Sequence, residues 1–451
     1  MSIFSRVAGA LPANFLNAAA INNIFWLAFD KVIRLFIGLF VNVWVARYMG
    51  PEMYGHYNYI FSFVIIFSVC GALGLEGVVI RELVKRPEDK NMILGSAFLL
   101  KIIGALTGMA LTIAAASFMN VKTPDWLVLI SISTLSFLFM PFEVLDYFFQ
   151  SLVMSKYIVF ARNFSLIASS AIRLYLISAD GSLMAFLLVN VIEAALTFIA
   201  LIVLFSKKNS ISGWKFSAGL MKTLMIDSFP LMMTYLMTLI GMKIDQLMLL
   251  EMIDEKQLGY YSAAIKLSEI WYLIPMSVCS TFFPILIAIK KRSISLYMKR
   301  FQMLYDFMAV TAFAIILPVS FFSAKLIPLL YGPKYVNSAA ILAIHVWAVL
   351  PVFMSVVCQY YLIVEKKQRL SFYKTIVGVI TTVVSNYILI PKYAAAGAAC
   401  ARLISEFVSS YLFDMFHPAL APALKMKIRA TTLISLFNNT AIFLARVRAK
   451  K

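Results

Sequence analysis

Charged side chains set deep inside apolar stretches are the chemistry this sequence carries. Asp30 and Arg34, Lys101, Glu143, Glu193, Lys243 and Asp245, and Arg402 and Glu406 lie well within runs long and apolar enough to cross a bilayer. At such depth a charge costs about 2.5–3.5 kcal/mol on insertion scales unless it is paired or hydrated, so these residues line a solute or ion route or neutralise one another. Asp30 with Arg34 and Arg402 with Glu406 are opposite charges four residues apart on one helical face. Self-neutralisation and contact with a solute are both open to them. Lys101, Glu193, Lys243 and Asp245 have no such partner on their own helix. At about 100° per residue, positions 243 and 245 point about 200° apart. These four require partners across the bundle, or a solute. Glu143 and Asp146 follow Pro141 and share a face, which makes them a candidate proton site, with hydration of Asp146 at the span end as the plain alternative. Arg162 and Arg173 near the ends of their span read as snorkelling. Lys266, Glu269, Asp306 and Lys374 read as anchors at the interface.

Other chemistries lack their residues. There is no G-x-x-x-x-G-K-[ST] phosphate loop and no H-E-x-x-H zinc helix. His56, His345 and His417 are scattered, and His345, within a span, reads as a packed, hydrogen-bonded ring. Cys70, Cys279, Cys358 and Cys400 are far apart, which argues against disulfides, metal centres and thiol redox chemistry. No metal or cofactor is expected, and the connections leave no room for a soluble catalytic domain, so the chain does not read as an enzyme.

The elements that must hold these charges follow from composition. Of 451 residues, 62% are hydrophobic and 14% charged, against about 25% charged in soluble domains. The expected fold is an all-α polytopic membrane protein with twelve transmembrane helices, at 22–45, 58–80, 92–118, 127–150, 157–178, 183–205, 226–251, 259–289, 303–324, 338–364, 370–391 and 395–416. The first apolar run carries Asp30, Lys31 and Arg34 and reads as a span, not a cleaved signal. A formal net charge of +19 suits cytoplasmic loops rather than nucleic acid. Lys and Arg crowd every second connection, as at Arg81 to Lys90, Lys207 to Lys222, Lys290 to Arg300 and Lys366 to Arg369. That places both termini in the cytoplasm.

The segment 207–225 reads as a cytoplasmic linker between two six-helix halves, 1–206 and 226–416. A short parallel repeat, Met49 to Tyr57 against Ile253 to Tyr261, supports the division. The remainder, 417–451, is a basic cytoplasmic tail whose apolar residues between Arg429 and Arg446 suggest a helix lying on anionic lipid, with a thirteenth span as the alternative.

Three stretches carry a resemblance. These are Val45 to Tyr57, Gly74 to Glu82, and Lys243-Ile-Asp-Gln246 with Leu258 to Ile270. They resemble the polysaccharide-export flippases, the O-antigen and capsule repeat-unit transporters of the superfamily that includes multidrug and toxic compound extruders. The resemblance implies movement of an undecaprenyl-diphosphate-linked oligosaccharide from the cytoplasmic to the periplasmic leaflet of a bacterial inner membrane. It implies coupling to H+ or Na+, and a polysaccharide polymerase and chain-length regulator as partners. Arg34, Lys101, Lys243 and Arg402 are then expected to contact phosphate or sugar, with Asp30, Glu193, Asp245, Glu406 and Glu143 as gating or coupling carboxylates. Asp245 matches the family's seventh-span aspartate. The alternative functions are a drug or cation antiporter of the same superfamily and, less well matched, a membrane-embedded glycosyltransferase or polymerase.

Overall fold

The computed structural model describes residues 18–118, 125–207 and 209–432, and among them the secondary structure is helical throughout. Nine helical stretches among the described residues are long and apolar enough to cross a membrane. Two of them, Ile33–Lys85 and Gln368–Phe416, contain internal breaks and each covers two expected spans. The helix Ser155–Ser178 falls outside the nine because it carries Lys156, Arg162 and Arg173. The twelve expected ranges all fall on helical residues, apart from a turn at 73–75 inside the second.

The breaks have local causes. Helix α1, Ala18–Ala72, is interrupted at Gly50, where φ is 69° and ψ 174°. Glycine takes this conformation without a Cβ clash, and Pro51 next to it has no N–H to continue the helical ladder. After Ala72 the chain turns through Leu73 and Gly74, both at positive φ, into α2, Glu76–Lys85. A Cβ on Gly74 would lie 2.6 Å from the Met232 nitrogen. The helix Gln368–Phe407 breaks at Ala394, φ 48°, three residues after Pro391. One turn of π-helix, Val408–Leu412, then leads to Phe413–Phe416.

The helices gather into two compact units, Met1–Lys243 and Ile244–Lys451, divided within the helix Ala218–Met252. In the first, Leu75, Val79, Leu94, Val144, Leu145 and Leu201 form the core. Glycines allow a close helix contact in this unit, between α1 and α3 (Lys90–Phe118). A Cβ at Gly104 would stand 2.1 Å from the Cys70 carbonyl oxygen, and one at Gly108 would stand 3.1 Å from that of Phe67. This is the small-residue spacing that lets backbones approach in a membrane. The expected linker is tied to the same unit. The Lys215 N–H donates to the Asn91 carbonyl, the Ser217 N–H to Ser96 Oγ, and Trp214 packs edge-on to Phe98 and Phe205.

In the second unit, Phe301, Tyr305, Met308, Val349, Phe353 and Val357 centre the core. The described part of the basic tail, Ala421–Thr431, packs into it, with Met426 and Ala430 among the buried residues. The helix expected to lie on lipid, over the apolar residues from Leu433 to Leu444, falls outside the described residues.

Gly104→Ala should force α1 and α3 apart and cost about 1–3 kcal/mol, whereas Gly38→Ala, whose Cβ meets nothing within 4 Å, should be neutral or stabilising. Thermal unfolding of the two purified variants checks this. Equal midpoints would show that the contact at Gly104 relaxes without loss.

Candidate functional site

A carboxylate accepts hydrogen bonds and a guanidinium or ammonium donates them, so buried opposite charges on neighbouring helices satisfy one another where water is scarce. The first unit is built this way. Arg34 Nε lies 3.0 Å from Asp30 Oδ1, and Asn163 donates to the same oxygen at 3.0 Å. Lys101, with no exposed surface, donates from Nζ to Glu143 Oε2 at 2.8 Å and to the Gly71 carbonyl at 2.9 Å. Tyr147 OH donates to Glu143 at 3.3 Å. Glu193 accepts from Arg173 at 2.9 Å and from Ser169 at 2.8 Å. Arg173 also donates to Asn190, which receives Tyr57 OH. Lys243 Nζ lies 5.7 Å from the centre of the Phe61 ring, within the range of a cation–π contact.

Arg162 and Arg173, read from sequence as snorkelling, each have a carboxylate partner on an adjoining helix: Arg162 pairs with Asp146 and Arg173 with Glu193. Asp146 is accordingly buried rather than hydrated, at 4% exposure. Glu143 and Asp146 do not face each other as an uncompensated pair, since each holds its own cation.

The second unit centres on Asp245, 2% exposed. Its Oδ2 accepts from Tyr261 OH at 3.1 Å and lies 4.0 Å from Arg402, while Oδ1 accepts from Asn386 at 2.7 Å. Arg402 also reaches Glu406 at 2.9 Å. One guanidinium therefore stands between two carboxylates. A second cluster was not expected: Asp414 accepts from Lys374 at 2.6 Å and from Lys427 at 2.7 Å. Lys374, read from sequence as an interface anchor, is buried instead because Asp414 lies within reach. His345 packs as expected, with Ser268 Oγ 2.6 Å from Nδ1. Among the described residues no group of His, Cys, Asp and Glu is arranged to hold a metal ion.

Helices long and apolar enough to cross a membrane, with paired charges buried among them, define a polytopic helical protein with a polar interior. A family model described as polysaccharide biosynthesis protein matches residues 20–290, and the chain belongs to that family. No curated protein matches it significantly. Among solved structures it is similar to the lipid II flippase MurJ in an inward closed conformation, at 16% identity over 93% of each chain, with a TM-score of 0.73. It is also similar to an inward-facing multidrug resistance MATE family transporter of the MOP superfamily, at 12% identity over 92% of this chain and 99% of the other, TM-score 0.69. A MOP superfamily transporter from Pyrococcus furiosus aligns at 11% identity over 92% and 96%, TM-score 0.63. At these identities the likeness is one of fold.

The ion pairs make an asymmetric prediction. Glu143→Ala strands the enclosed Lys101 ammonium and should cost about 3–5 kcal/mol of stability. Lys101→Met leaves Glu143, whose side chain is 28% exposed, partly hydrated, and should cost less. In the second unit, Arg402→Leu strands two carboxylates and should destabilise more than Asp245→Asn. Unfolding midpoints in one detergent rank the four variants, and the reverse order in either pair would show that the charges are not held by each other.

Proposed function

We propose that the chain flips an undecaprenyl-diphosphate-linked oligosaccharide, a repeat unit of O-antigen or a similar surface polysaccharide, from the cytoplasmic to the periplasmic leaflet of a bacterial inner membrane. What carries this reading is membership of the polysaccharide biosynthesis family. The fold shared with a lipid II flippase supports it. So does the physical need: a glycan and a diphosphate require polar surroundings to cross a bilayer, while the polyprenyl chain stays in lipid. Arg34, Lys101, Lys243 and Arg402 are the cations for phosphate or sugar. Asp30, Glu143, Glu193, Asp245 and Glu406 set their charge and gate or couple the cycle. The pairings of Arg34 with Asp30 and of Arg402 with Asp245 and Glu406 are then contacts to be exchanged for substrate.

In this reading both termini are cytoplasmic, and the substrate is exposed first to one leaflet and then to the other. Outward movement of an anionic headgroup across an inside-negative membrane gains about 2.3 kcal/mol per charge per 100 mV, with H+ or Na+ exchange as the added drive. Polymerase and chain-length regulator act on the delivered unit. The fold likeness to multidrug transporters favours a second reading, export of an amphipathic drug or cation.

The test is reconstitution of the full chain in liposomes holding undecaprenyl-diphosphate oligosaccharide, with glycosidase added outside. Protein-free liposomes keep their inner-leaflet glycan protected, and the protein should abolish that protection. Persistent protection alongside uptake or release of ethidium would replace the flippase with the drug exporter.

A further inference from the structure

The first unit has a half-open cavity of about 560 Å³ whose wall includes Glu76, Glu143, Asp146, Gln150, Arg162 and Tyr235. That volume lies within the range of about 300–1,000 Å³ usual for sites that hold small organic molecules. We infer that this cavity binds the sugar hydroxyls of the transported glycan, a role distinct from diphosphate binding by the basic residues. The inference rests on the glycan-transport reading above.

Three observations point to a neutral polyhydroxylated ligand. The two less exposed carboxylates are already charge-compensated, Glu143 by Lys101 and Asp146 by Arg162. They offer lone pairs rather than net charge, so a cation gains little there, and a diphosphate meets three carboxylates. The second observation is an unanswered acceptor. Asp146 is 4% exposed, its Oδ2 is taken by Arg162, and its Oδ1 has no hydrogen-bond partner among the described residues. A buried acceptor in that condition calls for a donor from whatever fills the space. The third is the mixture of groups around it. Gln150 Nε2 donates to Glu76 at 3.2 Å, and helix α2 begins at the wall with no side-chain cap at Leu75, leaving backbone N–H donors in its first turn. A sugar hydroxyl both donates and accepts, which suits a wall carrying both kinds of group. Tyr235, 42% exposed, offers an aromatic face for the C–H side of a sugar ring.

The test compares two ligands on the purified full chain in nanodiscs: undecaprenyl diphosphate bearing an oligosaccharide, and undecaprenyl diphosphate without sugar. Asp146→Asn keeps the shape and replaces an acceptor by a donor. Gly77→Leu adds bulk to the wall at a position where a Cβ meets nothing within 4 Å, without touching an ion pair. Asp146→Asn should bind the glycan-bearing carrier about tenfold more weakly, the effect of one charge-assisted hydrogen bond, Gly77→Leu should weaken the same binding by filling space, and both should bind the sugar-free carrier as the wild type does. Equal loss for both carriers, or no loss for either, in variants with wild-type unfolding midpoints would overturn the inference and leave the transport reading standing. So would loss of tetraethylammonium binding in Asp146→Asn with glycan binding intact. Failure of the wild type to bind either carrier would remove the transport reading and this inference together.

Discussion

An ionised side chain surrounded by hydrocarbon has no water to stabilise it, and the interior of this protein is organised by that constraint. Asp30, Lys101, Asp146, Asp245 and Asp414 are each largely or wholly buried, and each is met by an opposite charge. Most of these partners come from a different helix, so the pairs fix which faces of neighbouring helices meet. Apolar packing supplies the area of contact, while lipid offers similar packing to any face. The charges supply the choice among faces.

The two units solve the problem with related parts. Tyr57 and Tyr261 hold matching positions in the short repeat. Tyr57 donates to Asn190 beside the Arg173–Glu193 pair, and Tyr261 donates to Asp245 beside Arg402 and Glu406. In each unit a tyrosine from the second helix after a chain break ties a guanidinium–carboxylate pair into the bundle. Such pairs are also suited to exchange. Arg402, between two carboxylates at 4.0 and 2.9 Å, can yield one contact and keep the other.

How much was legible from sequence follows from how far each signal travels along the chain. Helix positions were readable because apolar runs are local, and the i,i+4 pairs because helical geometry fixes them. That Lys101 and Glu193 needed partners across the bundle was readable from the absence of a mate on their own helices. Which partners was not. Lys101 and Glu143 are 42 residues apart, and Lys374 and Asp414 are 40 apart, and no spacing rule connects such positions. Proximity to a span end suggested snorkelling for Arg162 and anchoring for Lys374. That rule assumes water is the nearest polar neighbour, and here a carboxylate is nearer. The cavity was invisible for a similar reason, since its wall is drawn from residues far apart in the chain.

The π-helical turn at Val408–Leu412 holds one more residue than an α-helical turn would need. The wider turn takes up that extra position locally, so Asp414 keeps a bearing that differs by about 100° from the one an unbroken α-helix of the same length would give it. The approach of this carboxylate to both Lys374 and Lys427 therefore depends on how the backbone is wound as well as on residue type: tightening 408–412 to α-helical winding with no residue lost would swing the aspartate off the two amines, a change of chemistry with no change of sequence.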